Sequence, residues 1–149
     1  MTHILLVNAQ KLNHKVAQEL KKQKLVEPTA WAPFVKTAHA KDRLPDTQDW
    51  WYNRSAAILR SIAKLGPVGT EKLRTKYGSS KNRGHKPSKF YPASGNIIRK
   101  ILQQLEKSAL VKQTEKSNNK GRILTPKGKS FLDKIAVQVH KESRKEEKA

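Results

Sequence analysis

Apolar residues in the N-terminal part of the chain recur every three or four positions, which is the spacing of the buried side of an amphipathic helix. Leu12, Val16 and Leu20 predict a first helix, and Asn8 is placed to cap it. The dipeptide Glu27-Pro28 ends this helix, and a later apolar run predicts a short second one, made of Trp31, Phe34, Val35 and Ala38. Together the two helices would form an N-terminal buttress within residues 1–48.

The same spacing predicts four further helices between residues 49 and 139. One begins at Asp49 as its cap and runs to Leu65, and a short one spans residues 70–77. The next follows Ser94 and carries a wide apolar stripe that is expected to be core, formed by Ile97, Ile98, Ile101, Leu102 and Leu105. The last has Thr125 as its cap and Pro126 at the first helical position.

Two segments between these helices lack helical spacing. Residues 78–93 are rich in Gly, Pro, Ser and basic residues, and they are predicted to be a loop. The run from Val111 has turn-forming residues, KSNNKGR, between VKQTE and RILT, which predicts a β-hairpin with a basic tip. Helix, short helix, longer helix, hairpin and helix is the order of a winged helix-turn-helix, in which the hairpin is the wing.

The fold predicted from these patterns is mainly α. A chain of 149 residues is long enough for one hydrophobic core and short for two, so we expect a single domain. It would consist of the N-terminal helical buttress, a winged helix-turn-helix core with a small β-hairpin wing at residues 49–139, and a charged tail at residues 140–149 that frays.

Charge narrows the function to polyanion binding. Lys and Arg number 32 against 12 Asp and Glu, which gives a formal net charge of +20. Solubility alone needs a net charge of about 2–8 on a small domain, so we interpret the excess as a surface for nucleic acid, the densest source of phosphate. Glu71 is the only acid between Trp50 and Pro92, so the many cations of that stretch must face solvent or phosphate.

Other classes of function find little support in the sequence. The chain has no cysteine, which excludes disulfides and thiolate metal sites. The histidines are scattered and no phosphate-binding or nucleophile motif is present, so we predict no enzyme, no catalytic residue, no metal and no cofactor. The apolar run Ile4–Val7 is too short for a signal peptide or a membrane span, and no membrane partner is expected.

The segment 78–93 favours RNA over DNA. A DNA-reading helix-turn-helix joins its two helices by a tight turn, whereas this connection is long, basic and aromatic. It would obstruct insertion of the next helix into the major groove of B-form DNA, while it suits irregular RNA. A winged-helix DNA-binding transcription regulator nevertheless remains the alternative, although no uncovered apolar stripe for dimerisation is visible, so a monomer is expected.

Five segments, in this order, resemble the eukaryotic and archaeal small-subunit ribosomal protein nineteen family, which is distinct from the bacterial protein of the same number. They are DWWYNRSAAILR, GPVGTEKLRTKYG, KPSKFYPASG, IIRKILQQLEK and GRILTPKGKSFLDKIA. The resemblance covers nearly the whole chain and is looser over the first forty residues. It implies a cytoplasmic ribosomal protein on RNA in the head of the small subunit, beside other head proteins and needed for late subunit maturation.

Candidate RNA-binding residues come from the resemblance and from charge. The resemblance implies Arg54, Arg60, Arg99 and the pair Gly121-Arg122. Trp50 joins them because its neighbour Trp51 takes the place in the core stripe; packing of Trp50 under the N-terminal buttress is an equally open alternative. Charge on exposed segments adds a further set: Lys64, Lys81, Arg83, Lys86, Lys89, Lys100 and Lys120.

Overall fold

The N-terminal part of the chain contains one substantial helix that packs on the body of the protein. The computed structural model describes residues 3–114 and 120–146. Helix α1 (His3–Leu6) is a single turn, and helix α2 spans Ala9–Lys22. The side-chain oxygen of Asn8 accepts hydrogen bonds from the backbone N–H groups of Gln10 and Lys11 at 2.9 and 3.3 Å, which confirms the predicted cap. The apolar side of α2 is buried against α3 and α6, described below.

The predicted second helix is wrong. Residues 32–34 form only a 3-10 turn (Ala32–Phe34), and the segment from there to residue 49 contains no helix. The Phe34 side chain is 80% exposed, while Ala38 is buried, so the apolar residues of this segment do not share one buried side as the helical spacing required. This segment instead runs along the core, where Ala38 forms a β-bridge with Ala93.

Helix α3 (Trp50–Leu65) is the central element, and its apolar stripe is buried as predicted except for Leu65 at its end. Asp49 occupies the N-cap position but makes no capping hydrogen bond; its carboxylate instead accepts one from Lys21 Nζ at 2.8 Å. Gly66 ends the helix with φ 73°, a left-handed conformation that glycine adopts without strain. Helix α4 (Thr70–Lys76) follows directly.

Residues 78–93 are not a loop. They form an antiparallel hairpin of strands β1 (Ser79–Arg83) and β2 (Lys86–Tyr91). Gly84, at φ 71°, makes the turn, and its N–H donates to the side-chain oxygen of Asn82 at 2.9 Å. Both faces of this hairpin are largely exposed, so its sequence lacks the alternation of apolar and polar residues that identifies a half-buried strand.

The remaining elements follow the prediction closely. Helix α5 (Gly95–Lys107) buries all five residues of its predicted stripe, although Ser94 makes no side-chain cap. Strands β3 (Val111–Thr114) and β4 (Gly121–Leu124) pair antiparallel in the position of the predicted wing, whose tip at residues 115–119 lies outside the described residues.

Helix α6 (Pro126–Glu146) completes the fold. The Thr125 hydroxyl accepts from Gly128 N–H at 3.0 Å, which confirms that cap. The helix continues past His140, where the sequence indicated a fraying tail, to Glu146. Across residues 3–114 and 120–146 the chain is therefore mainly helical, with two small hairpins, and no described helix has the length and apolar character to cross a membrane.

Candidate nucleic-acid interface

Three cations from two helices meet on one side of the protein without a carboxylate. We call Arg60 and Lys64 of α3, together with Lys76 of α4, the cationic cluster. Partial desolvation lowers the pKa of Lys76, and the positive charges of Arg60 and Lys64 lower it further. Within the described part of the chain none of the three forms an ion pair. Because the three positive charges repel one another, a bound anion would stabilise this cluster.

Hydrogen bonds hold the cluster in place but leave its charge unmatched. Lys76 Nζ donates to the hydroxyl of Ser61 at 2.9 Å, and that hydroxyl also lies 2.9 Å from the Tyr77 hydroxyl. The Nε of Arg60 is buried and has no hydrogen-bond partner among the described residues. Because this atom is closed to solvent, an anion would contact the cluster at other atoms.

Arg54 lies over the ring of Tyr77, next to the cluster. The centre of its guanidinium is 4.6 Å from the ring centroid. Burial lowers the pKa of Arg54, and burial raises the pKa of Tyr77, which the charges of Arg54 and Arg60 oppose. Arg54 is thus a half-buried cation held by an aromatic ring rather than by a carboxylate.

Trp50 has features of both alternatives that the sequence left open. It is half-buried and packs edge to face on the fully buried Trp51, with the ring centroids 5.3 Å apart. It also lines two clefts, one shared with Arg54 and one shared with Pro33. Its core contact is therefore established, while its contact with RNA stays a prediction.

Arg99 belongs to α5, which packs against α4. A Cβ placed on Gly95 would be 3.2 Å from Arg74 Cδ and 3.5 Å from Arg99 Nη1, which puts the two arginines side by side. Arg74 makes two hydrogen bonds of 2.9 Å to the Glu71 carboxylate, so the only acid of the central stretch is already paired. Arg99 and its neighbour Lys100 are exposed.

The β1–β2 hairpin places like charges directly opposite one another. Lys81 faces Lys89 across the strands, and Arg83 faces Lys86. Like charges at such positions destabilise a strand pair, so this hairpin gains from a bound polyanion. At its base the ring of Tyr91 packs on His39 at 4.6 Å, which joins the hairpin to the segment before α3.

Gly121 and Arg122 are occupied by contacts within the protein. The Arg122 guanidinium pairs with the Glu106 carboxylate at 3.1 Å, and its backbone exchanges two hydrogen bonds with Val68, of 3.0 and 3.1 Å. A Cβ on Gly121 would lie 2.8 Å from the backbone nitrogen of Val68. Both residues thus hold the β3–β4 hairpin against the chain, whereas Lys120 beside them is exposed.

Comparison with known proteins identifies the family. Residues 3–142 match the sequence model of "Ribosomal protein S19e". The chain belongs to the ribosomal protein S19e family. A relative from Aeropyrum pernix, named "Small ribosomal subunit protein eS19", is 45% identical over 144 residues, which cover 95% of this chain and 92% of the relative.

Two fungal relatives carry related names. "Small ribosomal subunit protein eS19" from Emericella nidulans is 40% identical over 130 residues, which cover 87% of this chain and 86% of the relative. "Small ribosomal subunit protein eS19A" from Schizosaccharomyces pombe is 39% identical over 136 residues, covering 91% and 92%. The S19e family consists of ribosomal structural proteins and not of enzymes.

The site of this S19e-family chain includes residues that the sequence did not single out. Lys76 and Tyr77 were assigned only to a short helix, yet they complete the surroundings of Arg54 and Arg60. Their side chains meet those of α3 only because α4 folds back beside it. Spacing within one helix carries no signal for a contact between two helices, so sequence reasoning had no means of finding them.

Proposed function

We propose that this chain is a structural constituent of the small ribosomal subunit, where it binds folded ribosomal RNA in the head and supports late maturation of the subunit from its precursor RNA. Membership of the S19e family supports the ribosomal role, as do the names of relatives from archaea and fungi. The chain would act in the cytoplasm, contact other proteins of the head, and be a monomer when free.

The observation that carries RNA binding is the cationic cluster. The positive charges of Arg60 and Lys64 lower the pKa of Lys76, so the three side chains lie close together. No acid of the described residues forms an ion pair with them. Such an arrangement is stabilised when phosphates approach, because the repulsion is replaced by attraction. Lys64 and Lys76 are exposed, so phosphates can reach them.

The proposed contact surface extends from this cluster in two directions. Arg99 and Lys100 extend it across α4 to α5, and the β1–β2 hairpin extends it outward. Trp50 and Arg54 contribute stacking surfaces, while Gly121 and Arg122 act mainly by positioning the β3–β4 hairpin. The cations assigned to phosphate are Arg60, Lys64, Lys81, Arg83, Lys86, Lys89, Arg99, Lys100 and Lys120.

We also propose that α3 to α6 form a winged-helix core in which β3–β4 is the wing. The order of elements favours this interpretation, with α3, α4 and α5 as the helices before the wing. The β1–β2 hairpin would then be an insertion between α4 and α5, where a DNA-reading helix-turn-helix has a tight turn. An exposed hairpin there would keep α5 out of a DNA major groove, which favours RNA as the ligand.

Competition binding tests the proposal. The labelled chain is bound to small-subunit ribosomal RNA, and unlabelled ribosomal RNA or random duplex DNA is added as competitor; in parallel, cosedimentation with small subunits is measured. We expect the ribosomal RNA to compete far better than DNA, and the chain to sediment with small subunits. Stronger competition by the duplex DNA than by the ribosomal RNA, with no cosedimentation, would instead favour a DNA-binding regulator.

A matched pair of variants isolates the cluster. One variant replaces Arg60, Lys64 and Lys76 by Gln, and its control replaces three exposed lysines of α6 by Gln: Lys129, Lys134 and Lys141. Both lose the same charge, so a general attraction would fall equally in the two. We expect the cluster variant to lose much more affinity for ribosomal RNA than the control, and equal losses would contradict the proposed surface.

A further inference from the structure

A cleft of about 420 Å³ lies between the outer side of α3 and the segment that precedes it. We propose that this cleft binds one unstacked nucleotide of the RNA, with the base against Trp50 and the phosphate toward Lys41 and Arg43, all of which line it. The inference rests on the proposed RNA-binding function and adds to it a specific site for a single nucleotide.

Two planar side chains in the wall of the cleft are held by neighbouring residues. Trp50 is fixed by its edge-to-face contact with Trp51, whose indole N–H donates in turn to the Gln104 side chain at 3.1 Å. Next to it the Arg54 guanidinium lies over the Tyr77 ring. Aromatic rings and guanidinium planes are the surfaces on which proteins stack bases that have left an RNA helix. Because these groups are already held in place, little freedom is lost on binding.

The charge of the cleft fits a nucleotide. Lys41, Arg43 and Arg54 line it, and no carboxylate of the described residues does. Lys41 and Arg43 are exposed and form no ion pair within the described part of the chain, so they can receive a phosphate. Asn53 also lines the cleft, and its amide can donate to and accept from the edge of a base.

A second cleft that also has Trp50 in its lining serves as an internal comparison. It has a volume of about 360 Å³, and Trp50 is part of its wall too. Its lining holds Pro28, Pro33 and Pro45, has the carboxylate of Asp46, and includes no described cation. A phosphate would be repelled there. Volume and an aromatic wall are thus common to both clefts, and the charge assigns the nucleotide to the first.

A titration followed by NMR tests the site on the whole chain. The indole N–H signal of Trp50 is assigned by comparison with the Trp50→Phe variant, and 5′-AMP or ribose 5-phosphate is then added in the millimolar range. We expect 5′-AMP to shift the signals of Trp50 and the Asn53 amide saturably, and ribose 5-phosphate to leave the Trp50 signal in place. Equal shifts with both compounds, or none with either, would overturn the proposal.

A variant with a carboxylate in the cleft provides an independent check. Asn53→Asp should strongly weaken the response to 5′-AMP, because the carboxylate cannot donate to the edge of the base as the amide can, and it adds a negative charge to a cleft that binds a phosphate. It should not lower the melting temperature, since a negative side chain is favourable in the first turn of a helix. A full response to 5′-AMP in this variant would contradict the placement of the nucleotide.

Binding to small-subunit ribosomal RNA separates this inference from the proposed function. Trp50→Leu should weaken RNA binding roughly 5- to 150-fold, the range for loss of one stacked base, without changing its salt dependence. Trp50→Phe should retain most of the affinity, and Phe34→Leu, which removes a different exposed aromatic ring, should retain all of it. RNA binding that is indifferent to Trp50→Leu overturns the nucleotide site alone. Absence of RNA binding by the unsubstituted chain overturns the proposed function, while the 5′-AMP titration still decides the cleft.

Discussion

Arg60 and Arg122 offer a direct comparison between an unpaired and a paired arginine. Arg60 belongs to a cluster without a described acid, whereas Arg122 is bound to Glu106 at 3.1 Å. Replacing each by Gln removes the same charge from the protein. If the unpaired cations contact RNA, Arg60→Gln should weaken RNA binding and leave stability nearly unchanged. Arg122→Gln should lower stability and leave the salt dependence of RNA binding unchanged.

The expected effect on RNA binding follows from the release of counterions. Loss of one phosphate contact should flatten the slope of log affinity against log salt by about 0.7–0.9 in Arg60→Gln. Over a rise from 50 to 200 mM salt, that change makes the deficit of the variant shrink about threefold. Arg122→Gln should keep the slope of the unsubstituted chain, because its guanidinium is already bound to a carboxylate.

For the stability of the folded protein, Arg122→Gln should have the larger effect. The paired side chains of Arg122 and Glu106 are only 20% and 27% exposed, so loss of Arg122 leaves a partly buried carboxylate without its donor. Hydrogen bonds to charged groups contribute roughly 1.5–3 kcal/mol, and each kcal/mol corresponds to about 2–4 °C in melting temperature at this chain length. Arg122→Gln should therefore melt about 3–12 °C lower. Arg60→Gln should change the free energy of unfolding by less than about 1 kcal/mol, since it also relieves repulsion with Lys76.

The assays are filter binding of small-subunit ribosomal RNA at several salt concentrations, and calorimetric melting of the free proteins. Equal flattening of the slope in both variants would refute the distinction between paired and unpaired cations. A large fall in melting temperature for Arg60→Gln would likewise show that Arg60 serves the fold rather than the ligand.

Three further outcomes are expected. Gly121→Ala should lower the free energy of unfolding, measured by thermal melting, by about 1–3 kcal/mol, because its Cβ would meet the Val68 backbone. Gly69→Ser, with nothing within 4 Å of the added Cβ, should cause no measurable loss. Similar losses in the two variants would contradict the close approach of Gly121 to Val68. Thr125→Val, which cannot cap α6, should lose about 0.5–2 kcal/mol in urea unfolding, and unchanged stability would count against that cap. The pKa of Lys76 is depressed in the folded chain, so the unfolded state binds more protons and stability should rise with pH through the window just below 10.5. NMR of its side chain should show the pKa rising when RNA binds, and a further fall would exclude phosphate at the cluster.

Helices were predictable where their apolar spacing and caps are local. The stripe of α5 and the caps at Asn8 and Thr125 are found as the sequence indicated, because each depends on residues within a few positions of one another. The predicted start of α3 at Asp49 was correct, but the Asp49 side chain makes no capping hydrogen bond. The carboxylate pairs with Lys21, which is 28 positions away along the chain, and such a partner leaves no local pattern.

The β1–β2 hairpin was missed for a physical reason. A strand can be predicted from sequence when alternate side chains are buried and therefore apolar, but the residues of this hairpin are largely exposed on both faces. Glycine, proline and lysine in such a segment are also typical of loops, so nothing in the composition distinguished the two. Only pairing between the strands, which is set by the turn at Gly84, creates the structure.

The sequence predicted the charge of the site better than its chemistry. A net charge of +20 and a stretch with Glu71 as its only acid pointed to the central helices as the cationic part of the chain. Which cations lack a partner depends on the folded chain, where Glu106 approaches Arg122 from 16 positions away. The cleft beside Trp50 arises in the same way, from a segment without regular structure that lies along α3.

Crosslinking in assembled small subunits that contain this chain tests most directly whether its unpaired cations face RNA. The particle is irradiated, and peptides joined to nucleotides are identified by mass spectrometry. We expect the adducts on the peptides of α3, α4, the β1–β2 hairpin and the start of α5, with Lys64 and Lys81 among them. Adducts confined to α2 and α6, with none on those elements, would contradict the proposed orientation of the protein on ribosomal RNA.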